Sequence, residues 1–191
     1  TRGILVLLLL LTAGTARATA EPAPPARAHL RAEALYDRSL ALLARGTFDA
    51  RRQALRALEE ATLLDPGNAT YELTLARAYQ AAGFVKSARQ RYARVARLRP
   101  WDAAGHAGHA RMWRRDWLKY LERSSLDLAV RSFEEAVRLD STDAEVWLEL
   151  APLQLEQGDL SGACASAFRA RASKVPKPLI ATLPPARSSA A

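Results

Sequence analysis

The sequence predicts an all-α protein, a right-handed superhelix of about four stacked helix–turn–helix units between an export signal and a proline-rich, disordered tail. Three observations carry that expectation. The 191 residues are 49% hydrophobic and 25% charged, yet they hold only four Phe, four Trp and one Met. Much of the apolar content is therefore Ala, which suits closely packed helices better than a thick aromatic core. Small, aromatic and Pro residues recur in one register through the middle of the chain. Prolines crowd the two flanks and leave residues 30–172 as the folding segment.

The first element reads as an address. Arg2 precedes the unbroken run "ILVLLLLL" at residues 4–11, and "TAGTARATA" follows with small residues in A-x-A order, which places cleavage near Ala18 or Ala20. Eight apolar residues span about 12 Å as a helix, short of the roughly 20 residues a bilayer crossing needs. Residues 1–18 are thus expected to be a signal peptide and the mature chain periplasmic or secreted, with an uncleaved anchor as the rival reading. No Cys follows the run to accept a lipid. Residues 19–29 contain "EPAPPARA", whose prolines lack helix-forming amides, and are expected to be an extended linker. Residues 173–191, with four prolines and little periodicity, are expected to be a disordered tail.

Between these flanks the register is explicit. Behind Ala88 stand Gly83 at five residues, Tyr79 at nine and Ala76 at twelve; ahead stand Tyr92 at four and Pro100 at twelve. Ala163 has Gly158, Gln154, Ala151 and Trp147 behind it, and Ala129 has Tyr120 and Trp113 behind and Phe133 ahead. Ala54 has Leu58 and Pro66 ahead, with Gly46 three residues further back than the pattern asks. Ala54 to Ala88, Ala129 to Ala163 and Pro66 to Pro100 are each 34 residues. Four units follow, at residues 31–67, 69–102, 110–143 and 144–175.

Each unit reads as two antiparallel helices joined by a tight turn. Ala76 and Ala88 carry no bulk, so the paired backbones can approach closely. Gly83 ends the first helix, because a left-handed cap is nearly free for Gly and costs most residues about 1 kcal/mol. Pro66 and Pro100 stop the second helix. Tyr79 and Tyr92 fill the space between this hairpin and its neighbour. One hairpin cannot bury its apolar face alone, so the units must stack.

In these residues the chain resembles the tetratricopeptide repeat family over about 140 residues. The resemblance rests on Ala76, Tyr79, Gly83, Ala88, Tyr92 and Pro100, on Trp113, Tyr120, Ala129, Phe133 and Ala136, and on Trp147, Ala151, Gly158, Ala163 and Ala170, with Ala54 opening the series. It implies a non-catalytic scaffold that holds a peptide or helix of a partner in a groove lined by the first helices. On that basis Tyr36, Arg77, Arg111, Arg114 and Arg115 are the candidates to face the groove. Arg pairs bidentately with carboxylate or phosphate, which points to an acidic peptide. The set with which some members grip a C-terminal carboxylate is not preserved: the matching places hold Tyr36, Leu40, Thr74, Arg111 and Arg115.

Several departures set further expectations. Three extra residues within "GTFDARRQA" should lengthen the helices or the turn of unit one. Ala88 to Ala129 is 41 residues, and "WDAAGHAGHA" reads as an insertion before unit three. Trp117 takes the place of Ala76, so the hairpin of unit three should be splayed or its first helix rotated. Pro152 should kink the first helix of unit four. The last hairpin lacks a polar closing helix, which leaves an alternative reading: a docking region that packs through that open end.

The formal charge of +8 falls to +6 once Arg2 and Arg17 leave with the signal. A polyanion-binding module is the second alternative, but no long Lys/Arg block and no nucleic-acid-reading motif accompany the charge, so nucleic acid is not the expected partner. His106 and His109 form H-x-x-H without the four ligands a structural zinc site needs, and both read as solvated within the insertion. Cys164, the single Cys, reads as a small buried apolar group. No phosphate loop, nucleophile elbow or H-E-x-x-H occurs, so neither catalysis, cofactor nor metal is expected. Asn68-Ala69-Thr70 matches a glycosylation acceptor by accident.

Overall fold

The computed structural model describes residues 24–174. Eight α-helices and no strand occur among them: α1 (Pro24–Arg45), α2 (Phe48–Leu64), α3 (Ala69–Ala81), α4 (Val85–Leu98), α5 (Ala103–Tyr120), α6 (Arg123–Leu139), α7 (Ala144–Gln157) and α8 (Leu160–Lys174). They pair as α1/α2, α3/α4, α5/α6 and α7/α8, and each hairpin packs on the next through α2/α3, α4/α5 and α6/α7. Residues 1–18, expected to be an export signal, and residues 175–191 of the expected tail lie outside the described residues.

Local chemistry explains where each helix begins and ends. Asn68, Asp102 and Asp143 accept hydrogen bonds from the first free amides of α3, α5 and α7, and Thr47 does the same for α2. The hairpin turns pass through positive φ at Gly46 (68°), Gly83 (82°) and Gly158 (88°), which Gly accepts without a Cβ penalty. The third hairpin makes the same turn with Leu121 at φ 57°, a conformation the side chain disfavours. Pro66 and Pro100 each follow a C-cap residue, Asp65 and Arg99.

The small residues stand at the close approaches. Ala54, Ala76, Ala88 and Ala129 are fully buried, and Phe133, Leu58 and Leu75 are buried beside them. Met112 joins Ala76, Ala88 and Tyr92 between hairpins two and three. The largest cluster ties α5, α6, α7 and α8 around Phe133, Trp147, Leu150 and Leu153. Gly105 lets α5 lie against α4, where an added Cβ would come within 2.9 Å of a Val95 methyl; one at Gly108 would fall on the Tyr92 ring.

A longer period organises the four hairpins into two halves. Under a shift of 75 residues, Gly46 maps to Leu121, Ala54 to Ala129, Asn68 to Asp143, Gly83 to Gly158 and Ala88 to Ala163. Turns, caps and packing alanines thus superpose as pairs of unlike hairpins. α2 and α6 each have 17 residues, whereas α4 has 14. The three extra residues of unit one lie in α2, and unit three carries the same extension.

That organisation corrects several expectations. Residues 24–29, assigned to an extended linker, open α1 instead; Pro24 and Pro25 fall in the first turn, whose amides have no helical partners to lose. Residues 173–174, assigned to the tail, end α8. "WDAAGHAGHA" is not an insertion between units: Asp102 caps α5 and the residues after it form its first two turns, so unit three begins near residue 103 rather than 110. α5 and α6 pack along their lengths, and Ala107 and Ala110 rather than residue 117 supply the close approach. Trp117, the counterpart of buried Leu42, packs against the core, and the hairpin is not splayed. Tyr120 is 58% exposed and packs between no hairpins. α7 continues through Pro152, which lies on its exposed side. Ala151 and Ala163 are only partly covered, and Cys164 is exposed rather than buried, because no described helix lies over that side of the α7/α8 hairpin.

Candidate functional site

An open cavity of about 780 Å³ crosses α3, α5 and α7. Arg77 of α3 forms one side, Arg111 of α5 the middle, and Glu145 of α7 the other, with the turns 99–102 and 140–143 closing one end. Small residues make this possible: Ala103, Ala104 and Ala107 line the cavity where bulkier side chains would fill it. Trp101, 72% exposed, stands at its rim.

The charges in the cavity are of both signs. Arg77 is exposed and makes no ion pair or hydrogen bond with a described residue. Arg99 donates to Thr70 Oγ1 at 2.9 Å. Arg111 is engaged: it meets Glu149 at 2.7 Å and Glu145 at 3.8 Å. On the opposite wall stand Asp140, Asp143 and Glu145, with Asp102 between. Asp140 is bound by both the amide and the hydroxyl of Thr142, which holds its carboxyl below the usual range. Burial raises the Tyr92 phenol, while Arg77 and Arg111 pull it down; its hydroxyl donates to Gln80 Oε1 at 2.6 Å.

The structure separates the five sequence-predicted groove residues. Arg77 and Arg111 share the cavity. Arg114 instead meets Glu149 at 2.7 Å, so one carboxylate, 14% exposed, is clamped by two guanidinium groups from α5. This ties α5 to α7, and Arg114 Nε is buried without a hydrogen-bond partner among the described residues. Arg115 faces a different cavity beside Lys86, Asp116 and Lys119. Tyr36 packs between α1 and α3: its ring lies 4.7 Å from that of Tyr71, and its hydroxyl is 3.2 Å from Thr74 Oγ1.

His109, expected to be solvated, sits at the joint between α4, α5 and α6. Trp113 Nε1–H donates to His109 Nε2 at 3.1 Å, so that nitrogen is the acceptor, and Nδ1–H then faces Ser132 Oγ at 3.3 Å. Burial, with Arg89 and His106 adding to it, pushes the imidazole down to about 4. The Arg89 guanidinium lies 3.9 Å over the Trp113 ring and pairs with Asp116. No group of three or more His, Cys, Asp or Glu side chains able to hold a metal occurs among the described residues.

Sequence reasoning missed Trp101, Asp102, Asp143, Glu145 and Glu149. Asp143 precedes a run of helix formers, an N-cap signature that would have placed it at the mouth of α7, whereas the glycines at 105 and 108 obscure the same signature after Asp102. Glu149 lies 38 residues from Arg111 and has no local signature.

No family model matches the sequence, and no curated protein matches it either. Solved structures do resemble it. A crystal structure of MamA aligns with a TM-score of 0.66 at 14% identity, covering 82% of this chain and 85% of that one. The thermophilic TPR protein TTC0263 of Thermus thermophilus aligns at 0.60 and 19%, covering 75% and 74%. The first TPR of Spaghetti (RPAP3), bound to the HSP90 peptide SRMEEVD, aligns at 0.59 and 16%, covering 68% and 95%. The fold is therefore the helical-repeat solenoid of tetratricopeptide proteins.

Proposed function

We propose that this solenoid is a non-catalytic scaffold that holds a polypeptide segment in the cavity crossing α3, α5 and α7. The observation that carries the reading is the cavity itself, built on helices whose caps and ion pairs hold it in place before a ligand arrives. A groove ordered in advance spares much of the ordering cost of binding. A structural neighbour that carries a bound peptide, the Spaghetti TPR with SRMEEVD, supports the class of ligand.

The expectation of an acidic partner narrows to one end of the site. Arg77, with Arg99 beside it bound only to the Thr70 hydroxyl, is available to an acidic side chain, because Arg111 and Arg114 already face Glu149. The wall of Asp140, Asp143 and Glu145 favours a basic side chain. The segment proposed is thus bipolar, with its acidic part toward α3 and its basic part toward α7, and Trp101 offers a rim surface for an apolar or cationic group. If residues 1–18 direct export, the partner is met outside the cytoplasm.

Peptide display against the purified chain tests this. Arg77→Glu should weaken the selected peptides about 10-fold or more, while an acid-to-base change in the peptide should restore binding to the variant. Equal binding by both proteins, with helicity unchanged, would remove the groove assignment.

A further inference from the structure

The exposed side of the last described hairpin carries a second interaction surface. On α8, Leu160 is 66% exposed, Phe168 is 73% exposed and Cys164 between them is exposed as well. Beside them on α7, Leu155 is 54% exposed. Scattered exposed leucines need no explanation, but this is a contiguous stripe at positions i, i+4 and i+8 of one helix.

The internal repeat shows what this side is built for. Under the 75-residue shift, Leu160 and Cys164 correspond to Val85 and Arg89 of α4. That side of α4 is covered by α5: Val85 packs on the Met112 cluster, and Arg89 lies over Trp113 and pairs with Asp116. Leu160 and Cys164 therefore continue an interface the chain already uses once, whereas Phe168 corresponds to Ala93, which lines a cavity with Gln90, Arg91, Arg94 and Arg97, and so widens the α8 stripe beyond that interface. The counterpart of α5 is α1, so a head-to-tail stack would bring α1 of another copy onto α7/α8. Its chemistry opposes this. Gly108 and Met112, which face α4, correspond to Glu33 and Asp37, both exposed, and their carboxylates would be desolvated against Ala163, Ala167 and Leu160.

The stripe is instead complementary to itself. Leu160 and Phe168 stand four residues either side of Cys164, and no charged residue lies between 160 and 168. Two antiparallel copies of α8 related by a two-fold axis at Cys164 place Leu160 of each against Phe168 of the other. We propose that the chain forms such a two-fold dimer through α8, with the Cys164 side chains facing each other at the axis. The arrangement is closed, so it yields dimers and not filaments.

The mass of the full 191-residue chain, followed by light scattering over a dilution series, tests the proposal, alongside cross-linking of Cys164 by a mild added oxidant. The expected result is a dimer that the oxidant converts to a Cys164–Cys164 disulfide, since the two Cα atoms would lie within the roughly 7 Å that bridging requires. Phe168→Glu should raise the dissociation constant about 30-fold or more, because each dimer carries the change twice, whereas Phe168→Leu should leave it nearly unchanged. A monomer at every concentration, as expected if residues 175–191 or another protein cover the stripe, would overturn the proposal. So would a dimer that Phe168→Glu leaves intact, as association through the apolar run at residues 4–11 would be, or one in which Cys164 does not cross-link.

Discussion

Hairpins α3/α4 and α7/α8 occupy equivalent places in the two halves, yet one is held by a buried carboxylate where the other has an indole. Glu72 is fully buried on α3, and Arg91 and Arg94 of α4 reach it at 3.2 and 2.8 Å. Its counterpart is Trp147, 8% exposed, whose Nε1–H donates to the Ser141 carbonyl at 3.0 Å. The counterpart of Arg94 is Arg169, and its guanidinium lies 5.3 Å over the Trp147 ring. One guanidinium position thus serves as an ion-pair donor in the first half and as a cation over an aromatic face in the second. The backbone approach of each hairpin is set by small residues, so the pair beneath it is free to differ in chemistry.

The sharpest way to break the comparison is to strip the guanidinium groups from both halves. Arg91→Ala with Arg94→Ala leaves a carboxylate buried without a partner and should cost about 3–5 kcal/mol by chemical denaturation. Arg169→Ala removes only a partly exposed cation–π contact and should cost less than about 1 kcal/mol. Equal losses would mean that the two halves use Arg in the same way.

The joint between the halves should be sensitive to acid. His109 is neutral in the folded state and ordinary, near 6.5, when unfolded, so below that value the unfolded chain binds the extra proton. Its stabilising contribution is complete above pH 6.5 and is lost as pH falls toward about 4, up to about 3 kcal/mol in all. Denaturation curves at about pH 7 and about pH 4.5 should differ accordingly, and His109→Phe should reduce that difference.

Gly108 marks the contact between hairpins two and three that has no counterpart among the described residues at the far side of α8. Gly108→Ala forces a methyl group onto the Tyr92 ring and should cost about 1–3 kcal/mol. Ala167, the counterpart of Tyr92, is exposed, and Ala167→Tyr should change monomer stability by less than about 0.5 kcal/mol.

The smallest expected effect concerns the turns. Leu121 and Gly46 are counterparts, both left-handed, and Leu121 is 70% exposed. Leu121→Gly should relieve strain and stabilise by about 0.5–1 kcal/mol, while Gly46→Leu should lose about 1 kcal/mol. A thermal melt of each variant decides it.

The hairpins, their number and their packing seams are legible in the residues, because close helix contact demands small side chains at fixed intervals and turns demand Gly or a cap. Ala54, Ala76, Ala88, Ala129 and Phe133 are buried as their spacing implies. The spacing misleads where unit three is aligned on one Ala alone: that gives Trp117 and Tyr120 the wrong roles, whereas the turn at Leu121 fixes the alignment and carries no Gly to announce itself.

The sequence alone therefore determined the repeating architecture, which local conformational preference and side-chain volume dictate within each hairpin. Only the tertiary structure decided which charges remain available. Arg111 and Arg114 look like Arg77 along the chain, but Glu149 arrives from a helix one hairpin away and pairs with both of them. Electrostatic pairing acts through space, and no periodicity records which distant carboxylate a guanidinium will meet.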